Sequence, residues 1–497
     1  MVFCNALMGG VIASKQAAVT TTGDSLMFRA ANSEVVRPVR STTSYLQQSM
    51  SNTATDPIIW TYSTWIKSSV LLGPPDSGFN DQRTLISAMP TSATPAEETT
   101  TRLYLDEPVM TIQGLSTVYR TYTTGITKGY AIIGEWVHLI ISFNSGNAEG
   151  SRYKFFVDTT DITEDFTGTN PAADSGTGLN ASTATTYQIG QDIYKEDDES
   201  IGAGWEGYMS DTHFIDGAEK IPADFTETNS GGVLVPKIYT GSYGNHGFWL
   251  KFESGALGTD SSGNSNDFST NNIISQDRVP DCPENNYTIL NAGDSYDASE
   301  NLSDVMNCVR GGLTYEAGDT STIACIRGTS QGKVNSGKWY WEVLSGGGAS
   351  GVFLLAGISA PTVTINSAHT GTGAYYQSDG TDGEFYVNGS QTLTGLTSID
   401  NDGDDIIMIA LDMDTAKIWV GINGTWEQSG DPASGTNPQA TGLSGFYVPL
   451  CGGRSNNSGF ANFGQDPTFG NQKGAGATTE FQYTPPTGFV SMSAANA

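Results

Sequence analysis

The stretch GDDIIMIALDMDTAKIWVGINGTW, residues 403–426, decides the fold. Its apolar run, Ile406 to Leu411, meets a polar turn at Asp412–Thr415. A second strand, Lys417 to Ile422, leads back to a tight turn at Asn423–Gly424. Short apolar runs bounded by turn residues predict strands, and two of them this close predict an antiparallel hairpin. The same layout occurs earlier, as GEWVHLIISFN (134–144), a polar glycine-containing turn, and RYKFFVD (152–158). There Val137, Leu139, Ile141 and Phe143 share one face, and Tyr153, Phe155 and Val157 share a face of the returning strand. The chain therefore reads as two copies of one kind of domain. The expected fold class is all-β, with two tandem antiparallel β-sandwiches.

Composition agrees with many short strands. The 497 residues are too many for one ordinary core. Glycine is 60 of these 497 residues, and charged residues are only 15 % against a usual ~25 %. No extended stretch carries helix-forming residues in helical register. With 23 basic and 53 acidic residues the net charge is −30, so a polyanion such as DNA is repelled and anionic membranes do not attract the chain. The five cysteines, Cys4, Cys282, Cys308, Cys325 and Cys451, form no CxxC pair, and their odd number argues against a disulfide framework or zinc site. They read as small buried residues of a chain folded in a reducing cytosol. No apolar run is long enough to span a bilayer, and MVFCNALMGGVIASK has no basic residue ahead of its apolar part, so no secretory signal is expected.

In chain order, residues 1–20 are expected as an N-terminal arm and 21–256 as the first sandwich. Within it IIWTYSTWIKSSVLL (58–72) alternates with sheet period, and EKIPADF (219–225) is the candidate for a single helical turn. KEDDES (195–200) is expected as a solvated loop. Residues 257–286 contain few apolar side chains and read as a connector wrapping over the domain surface. Residues 287–497 form the second sandwich, with SGKWYWEVLS (336–345), a fully apolar strand GVFLLAGIS (351–359), and a hairpin of AYYQSDG and GEFYVNGS with Asn388–Gly389 as its turn signal.

SGKWYWEV (336–343), LLAGIS (354–359), the 403–426 hairpin, YVPLCGG (447–453), ANFGQ (461–465) and FQYTPPTGF (481–489) come in the order of the SPRY family, which residues 287–497 resemble closely. That resemblance implies two curved antiparallel sheets and a binding module without catalytic residues that recognises proteins through loops at one rim. SLMFRA (25–30), IIWTYSTWIKSS (58–69), EWVHLIISFN (135–144), KFFVD (154–158), GWEGYMSDTHFIDG (204–217), IPADF (221–225) and DSSGNSND (260–267) make the first half similar to a laminin-G or concanavalin-A-like jelly roll. It departs from that pattern at Asp158–Thr159, where such domains often place Gly after Asp. The tandem and its bridge resemble structural and adhesion proteins of marine tailed phages.

Chemistry-bearing residues are few. A hydrolytic triad needs a His beside a nucleophile. Of the four histidines, His138 and His213 alternate with core-facing residues and are expected to point outward into solvent; His246 sits in a Gly-rich turn and His369 in a Thr/Gly loop. Asp412 and Asp414 are the nearest approach to a glycosidase carboxylate pair, but a hairpin turn needs short polar residues there anyway. Asp260, Asn264 and Asp267, and Asp400, Asp402, Asp404 and Asp405, could offer oxygens to calcium; neither segment fits the EF-hand spacing, and both read as Asx-rich turns. Trp60, Trp339 and Trp341 read as core, whereas Trp65, Trp249 and Trp426 are candidates for exposed sugar-stacking or subunit-contact rings. No catalytic, cofactor-binding or metal residue is assigned, and the ligand-binding residues stay open.

These readings lead to a non-enzymatic virion surface protein, made in the host cytoplasm and exposed on the particle as a tail fibre, spike or head fibre that attaches to the host. The candidate rim loops are 345–351, 361–374 and 427–445. The expected partners are other virion proteins, a host-surface glycan or protein, and further copies of the chain, with no nucleic acid and no membrane insertion. Two alternatives are a capsid decoration or cement protein, and a secreted carbohydrate-binding lectin or glycosidase.

Overall fold

The computed structural model describes residues 24–28, 44–69, 83–96, 99–106, 109–114, 117–122, 133–181, 184–193, 204–294, 306–317, 323–346, 353–400 and 403–496. The N-terminal arm, the 195–200 loop and most of 345–351 lie outside them. Strands dominate, and the helical elements are single 3₁₀ turns, one of them Pro222–Asp224 within the expected helical turn. No helix of the described residues is long and apolar enough to cross a membrane.

Four large antiparallel sheets form two sandwiches. In the first, one sheet runs Thr160–Asp161, Tyr153–Val157, Trp136–Asn144, Ile59–Ser68, Gly207–Asp216, Ser25–Phe28 and Arg278–Val279, with Phe248–Leu250 also on Gly207–Asp216. We call it the Lys67 sheet. Its partner runs Phe166–Thr167, Thr117–Tyr122, Val109–Gly114, Thr101–Asp106, Arg83–Pro90, Thr185–Ile189, Tyr45–Met50 and Ser269–Asn271. The core between them holds Trp60, Tyr62 and Ile66, the four expected residues of the 136–144 strand, and Tyr153, Phe155 and Val157, all buried. Each such side chain stabilises the fold by about 1.5–3 kcal/mol relative to exposure.

The 257–286 segment is not a connector laid over the surface. Ser269–Asn271 pairs with Tyr45–Met50 in one sheet and Arg278–Val279 with Ser25–Phe28 in the other. Phe268, Ile273, Val279 and Cys282 are buried. Backbone pairing at two sheet edges and four spaced apolar anchors suffice to weave a polar stretch into the sandwich.

In the second sandwich, one sheet runs Asn307–Val309, Thr314–Glu316, Ser458–Asn462, Lys338–Ser345, Ile406–Asp412, Lys417–Ile422 and Thr425–Trp426, and Ala440–Thr441 also pairs with Lys417–Ile422. The other runs Ala324–Arg327, Val448–Gly453, Leu354–Ser359, Gly373–Ser378, Gly383–Val387 and Ser390–Leu396. The deciding hairpin forms as expected, pairing Ile407 with Ile422; Asp412 pairs with Lys417, so the turn falls at 413–416, one residue later than expected. Gly373–Ser378 and Gly383–Val387 form the expected hairpin, but it turns at 379–382; Asn388–Gly389 turns the next one, into Ser390–Leu396. The positive φ of Asn388 and Gly389 suits that two-residue connection.

The two sandwiches share packing. Met27, Tyr208 and Val279 belong to the apolar cluster of the second sandwich. Gly311 has φ +69°, and a Cβ there would lie 2.3 Å from Met27 Sδ and 2.7 Å from the Tyr208 hydroxyl, so the close approach of the halves requires glycine.

Candidate functional site

Outward positions of the Lys67 sheet are where sequence reasoning and structure differ most. Thr61, Ser63, Trp65 and Lys67 on one strand, and His138 and Ile140 on its neighbour, point away from the first core, yet all are buried. His138 and His213 are 0 % exposed, so the expectation that both face solvent is overturned. The cause is a second layer: residues 218–253 fold back across this face and lay Phe225, Tyr239, Tyr243 and Trp249 over Ile140, Phe156 and Ile215. Trp249 belongs to this cover and Trp65 is buried against the His138 ring, which removes both as exposed sugar platforms.

Beneath this cover the polar groups find partners. Ser63 Oγ lies 2.8 Å from His138 Nε2, and His213 Nδ1 lies 2.9 Å from the Tyr243 hydroxyl. His213 Nε2 faces Asp211 Oδ2 at 3.1 Å, and Trp249 Nε1 donates to Asp211 Oδ1 at 2.6 Å. Burial pushes the His138 imidazole down to about 3, the Asp211 charge opposing and His213 reinforcing the shift. Ser63 and His138 resemble two members of a triad, but His138 Nδ1 has no hydrogen-bond partner among the described residues and the pair is sealed from solvent. With both side chains buried and no carboxylate on Nδ1 among the described residues, the pair lacks the arrangement of a triad.

The remaining expected groups fall into structural roles. His246 is buried, with Nε2 2.9 Å from Asn52 O and its backbone N–H donating to Asp216 Oδ2 at 3.0 Å. His369 Nδ1 lies 3.9 Å from Cys325 Sγ, but burial pushes that thiol up to about 12, far from a thiolate nucleophile. Asp412 and Asp414 accept from the backbone N–H groups of Thr415 and Gly337, as turn residues should. Asp260 accepts from the backbone N–H groups of Trp249, Ser262 and Asn266, and Asp267 from that of Asp260. Asn264 Nδ2 donates to the carbonyls of Gly244 and Gly247. Asp405 accepts from Asp400 N–H and Asn423 Nδ2; Asp402 lies outside the described residues. Trp60, Trp339 and Trp341 are core residues as expected, and Trp426 is half-buried.

The second cover of the Lys67 sheet is residues 281–287, with the second sandwich packed beside them. Lys67 Nζ donates to Asp281 Oδ2 at 2.6 Å, to Asn286 Oδ1 at 2.7 Å and to Tyr287 O at 2.7 Å. Trp136 Nε1 donates to Asp281 Oδ1 at 2.9 Å, and the Lys67 ammonium sits 5.3 Å from the Tyr208 ring centre. Ser330 Oγ and Gln331 Nε2 both donate to Glu135 Oε1 at 2.7 Å, and the Tyr208 hydroxyl donates to Gly311 O at 2.6 Å. Sequence reasoning missed this cluster; the apolar Trp65 and Trp136 flanking Lys67 in outward register were its one signal.

These contacts fix the second sandwich by one end. The 310–313 turn and 328–334 lie at the docked end, together with the 412–416 turn and the 360–372 loop, which Arg327 ties down by donating to Ala360 O and Val363 O. The opposite end carries the 379–382 turn, 397–405, the 423–424 turn and 454–457, next to strand ends Ser345 and Leu354. Of the expected rim loops, 361–374 sits at the docked end and 427–445 runs along the edge strand Lys417–Ile422, while of 345–351 only 345 and 346 are described, at the free end. They do not form one rim.

No protein-family model matches this chain. No curated protein matches it either. Among solved structures the chain is similar to the SPRY domain of human HERC1, at 20 % identity over 30 % of this chain and 87 % of that one, with a TM-score of 0.24. It is similar to mouse laminin alpha1 chain domains LG4-5, at 9 % identity over 90 % of this chain and 86 % of that one, TM-score 0.27. It is also similar to a heptameric SAP-like pentraxin from Limulus polyphemus, at 15 % identity over 41 % and 82 %, TM-score 0.27.

Proposed function

We propose that the chain is a non-enzymatic virion surface protein of a tailed phage, a tail fibre, spike or head fibre that uses its second sandwich to contact the host. The reading rests on the end-on docking of that sandwich. Buried Lys67 and the Glu135 contacts hold one end, which leaves the loops at the other end facing away from the rest of the chain. Asp379, Gly380, Thr381, Asp400, Asp404, Asn423 and Gly424 there are exposed and polar, and rigid sheets beneath such loops let them vary without unfolding the core. The first sandwich and residues 1–20 would dock on the particle or on further copies. The −30 net charge fits contact with a protein or glycan better than with nucleic acid.

Electron microscopy of particles labelled with antibodies against the purified chain tests this. Label at tail or head fibres is the expected result. Dense symmetric label over the capsid would replace attachment by decoration, and particles without label would end the virion reading. Deleting 345–351 is expected to leave thermal melting unchanged and to reduce adsorption to host cells; unchanged adsorption would remove that segment from the contact.

A further inference from the structure

Three side chains at the junction of the sandwiches are arranged for a reaction that needs no ligand. Lys67 Nζ ends 2.7 Å from Asn286 Oδ1 and 2.6 Å from Asp281 Oδ2. Lys67 and Asp281 are 0 % exposed and Asn286 is 9 % exposed, with Trp136 and Tyr208 beside them. Asn286 Nδ2 donates to Gly134 O at 2.9 Å, which fixes the carboxamide with its carbonyl toward the lysine. Asp281 Oδ1 is held by Trp136 Nε1 and by Tyr287 N–H, so its other oxygen stays on Lys67.

We propose that Lys67 and Asn286 become joined by a side-chain amide, with Asp281 as the catalytic acid–base, so that the first sandwich is covalently stapled to the chain where it enters the second. Burial pulls the Lys67 amine below its usual range and pushes the Asp281 carboxyl above its own, their mutual attraction opposing both shifts. Proton transfer from the ammonium to the carboxylate then gives a neutral amine and a neutral acid. The Nζ lone pair attacks Cγ of Asn286 and forms the new C–N bond. Asp281 gives its proton to the departing Nδ2, the old C–N bond breaks, and ammonia leaves. The resulting carboxylate takes one proton from Nζ and is restored. One amine and one carboxamide become one secondary amide plus ammonia, with no change of oxidation state and no co-reactant. Oriented neighbours of this kind reach effective molarities on the order of 10⁵–10⁸ M, enough to drive an otherwise sluggish acyl exchange. The inference does not depend on the virion reading.

Peptide mapping of the purified full-length protein by mass spectrometry tests it. The expected result is a linked peptide pair containing Lys67 and Asn286, about 17 Da lighter than the sum of the free peptides, with Lys67 no longer cut by trypsin. Asp281→Ala is expected to slow linking by about 10²–10⁴-fold, and Lys67→Arg to abolish it. Should either variant fail to fold, the wild-type map still decides. Separate, unlinked Lys67 and Asn286 peptides from the wild-type protein would overturn the proposal. Loss of water, with a link from Lys67 to Asp281, would overturn it as well by moving the acyl group to the wrong residue.

Discussion

Two halves of one sheet face, the outer side of the Lys67 sheet, are kept dry by opposite means. Under the 218–253 cover lie His138 and His213, set against aromatic rings and a hydroxyl, with His138 held neutral by burial. Under residues 281–287 lies Lys67, opposed by a carboxylate, a carboxamide and a backbone carbonyl. The first solution discharges the group; the second surrounds it with acceptors. Histidine, which titrates near neutrality, sheds its proton on burial at a smaller cost than lysine, whose amine holds its proton more tightly.

The sharpest way to break this comparison is Lys67→Ala. Relative to the chain before linking, it leaves Asp281 buried without its counterion and is expected to cost about 3–5 kcal/mol in denaturant unfolding. The double variant Lys67→Met/Asp281→Leu removes both charges and is expected to recover much of that loss, up to whatever a covalent link contributes. If the double variant is as unstable as the single, charge pairing is not what the site supplies.

Next in size is the pH response of the histidine half. In the unfolded chain His138 takes a proton near 6.5, while in the folded chain it does so only near 3. Its folded pKa is depressed, so the unfolded state binds more protons between those values. Stability is then full above pH 6.5 and declines as pH falls toward 3, by up to roughly 4 kcal/mol. Unfolding midpoints measured from pH 7 to 4 should show this slope, and His138→Gln should flatten it. An unchanged slope would mean that His138 is charged in the fold.

The smallest expected effect comes from Tyr243→Phe, which removes the hydroxyl beside His213 Nδ1 while keeping the ring. A loss of about 1 kcal/mol is expected by thermal unfolding, together with easier proteolysis of the 218–253 cover. No change in either would show that the aromatic stack alone holds the cover down.

The sequence carried the core faces well and the outer face poorly, for one reason. Alternation with period two separates the faces of a strand, and so Val137, Leu139, Ile141 and Phe143 fell into register as expected. It says nothing of what lies over the other face. His138 and Lys67 resembled solvent-facing residues because their covers come from residues 218–253 and 281–287, far along the chain. The outward Trp65, Ile140 and Phe156 were the available hints that water was absent there. The same distance hid the Lys67, Asp281 and Asn286 cluster, since the latter two sit in DCPENN, a stretch whose composition suggests only a turn. The split of the expected rim loops between two ends follows from strand register, which loop composition does not encode.

Because Met27, Tyr208 and Val279 complete the apolar interior of the second sandwich, that half does not close its own interior. Cutting the chain near residue 286 would bare those three side chains on one fragment and leave their sockets empty on the other. The two sandwiches are separate in topology but one cooperative unit in thermodynamics, and they should melt together in a single calorimetric peak.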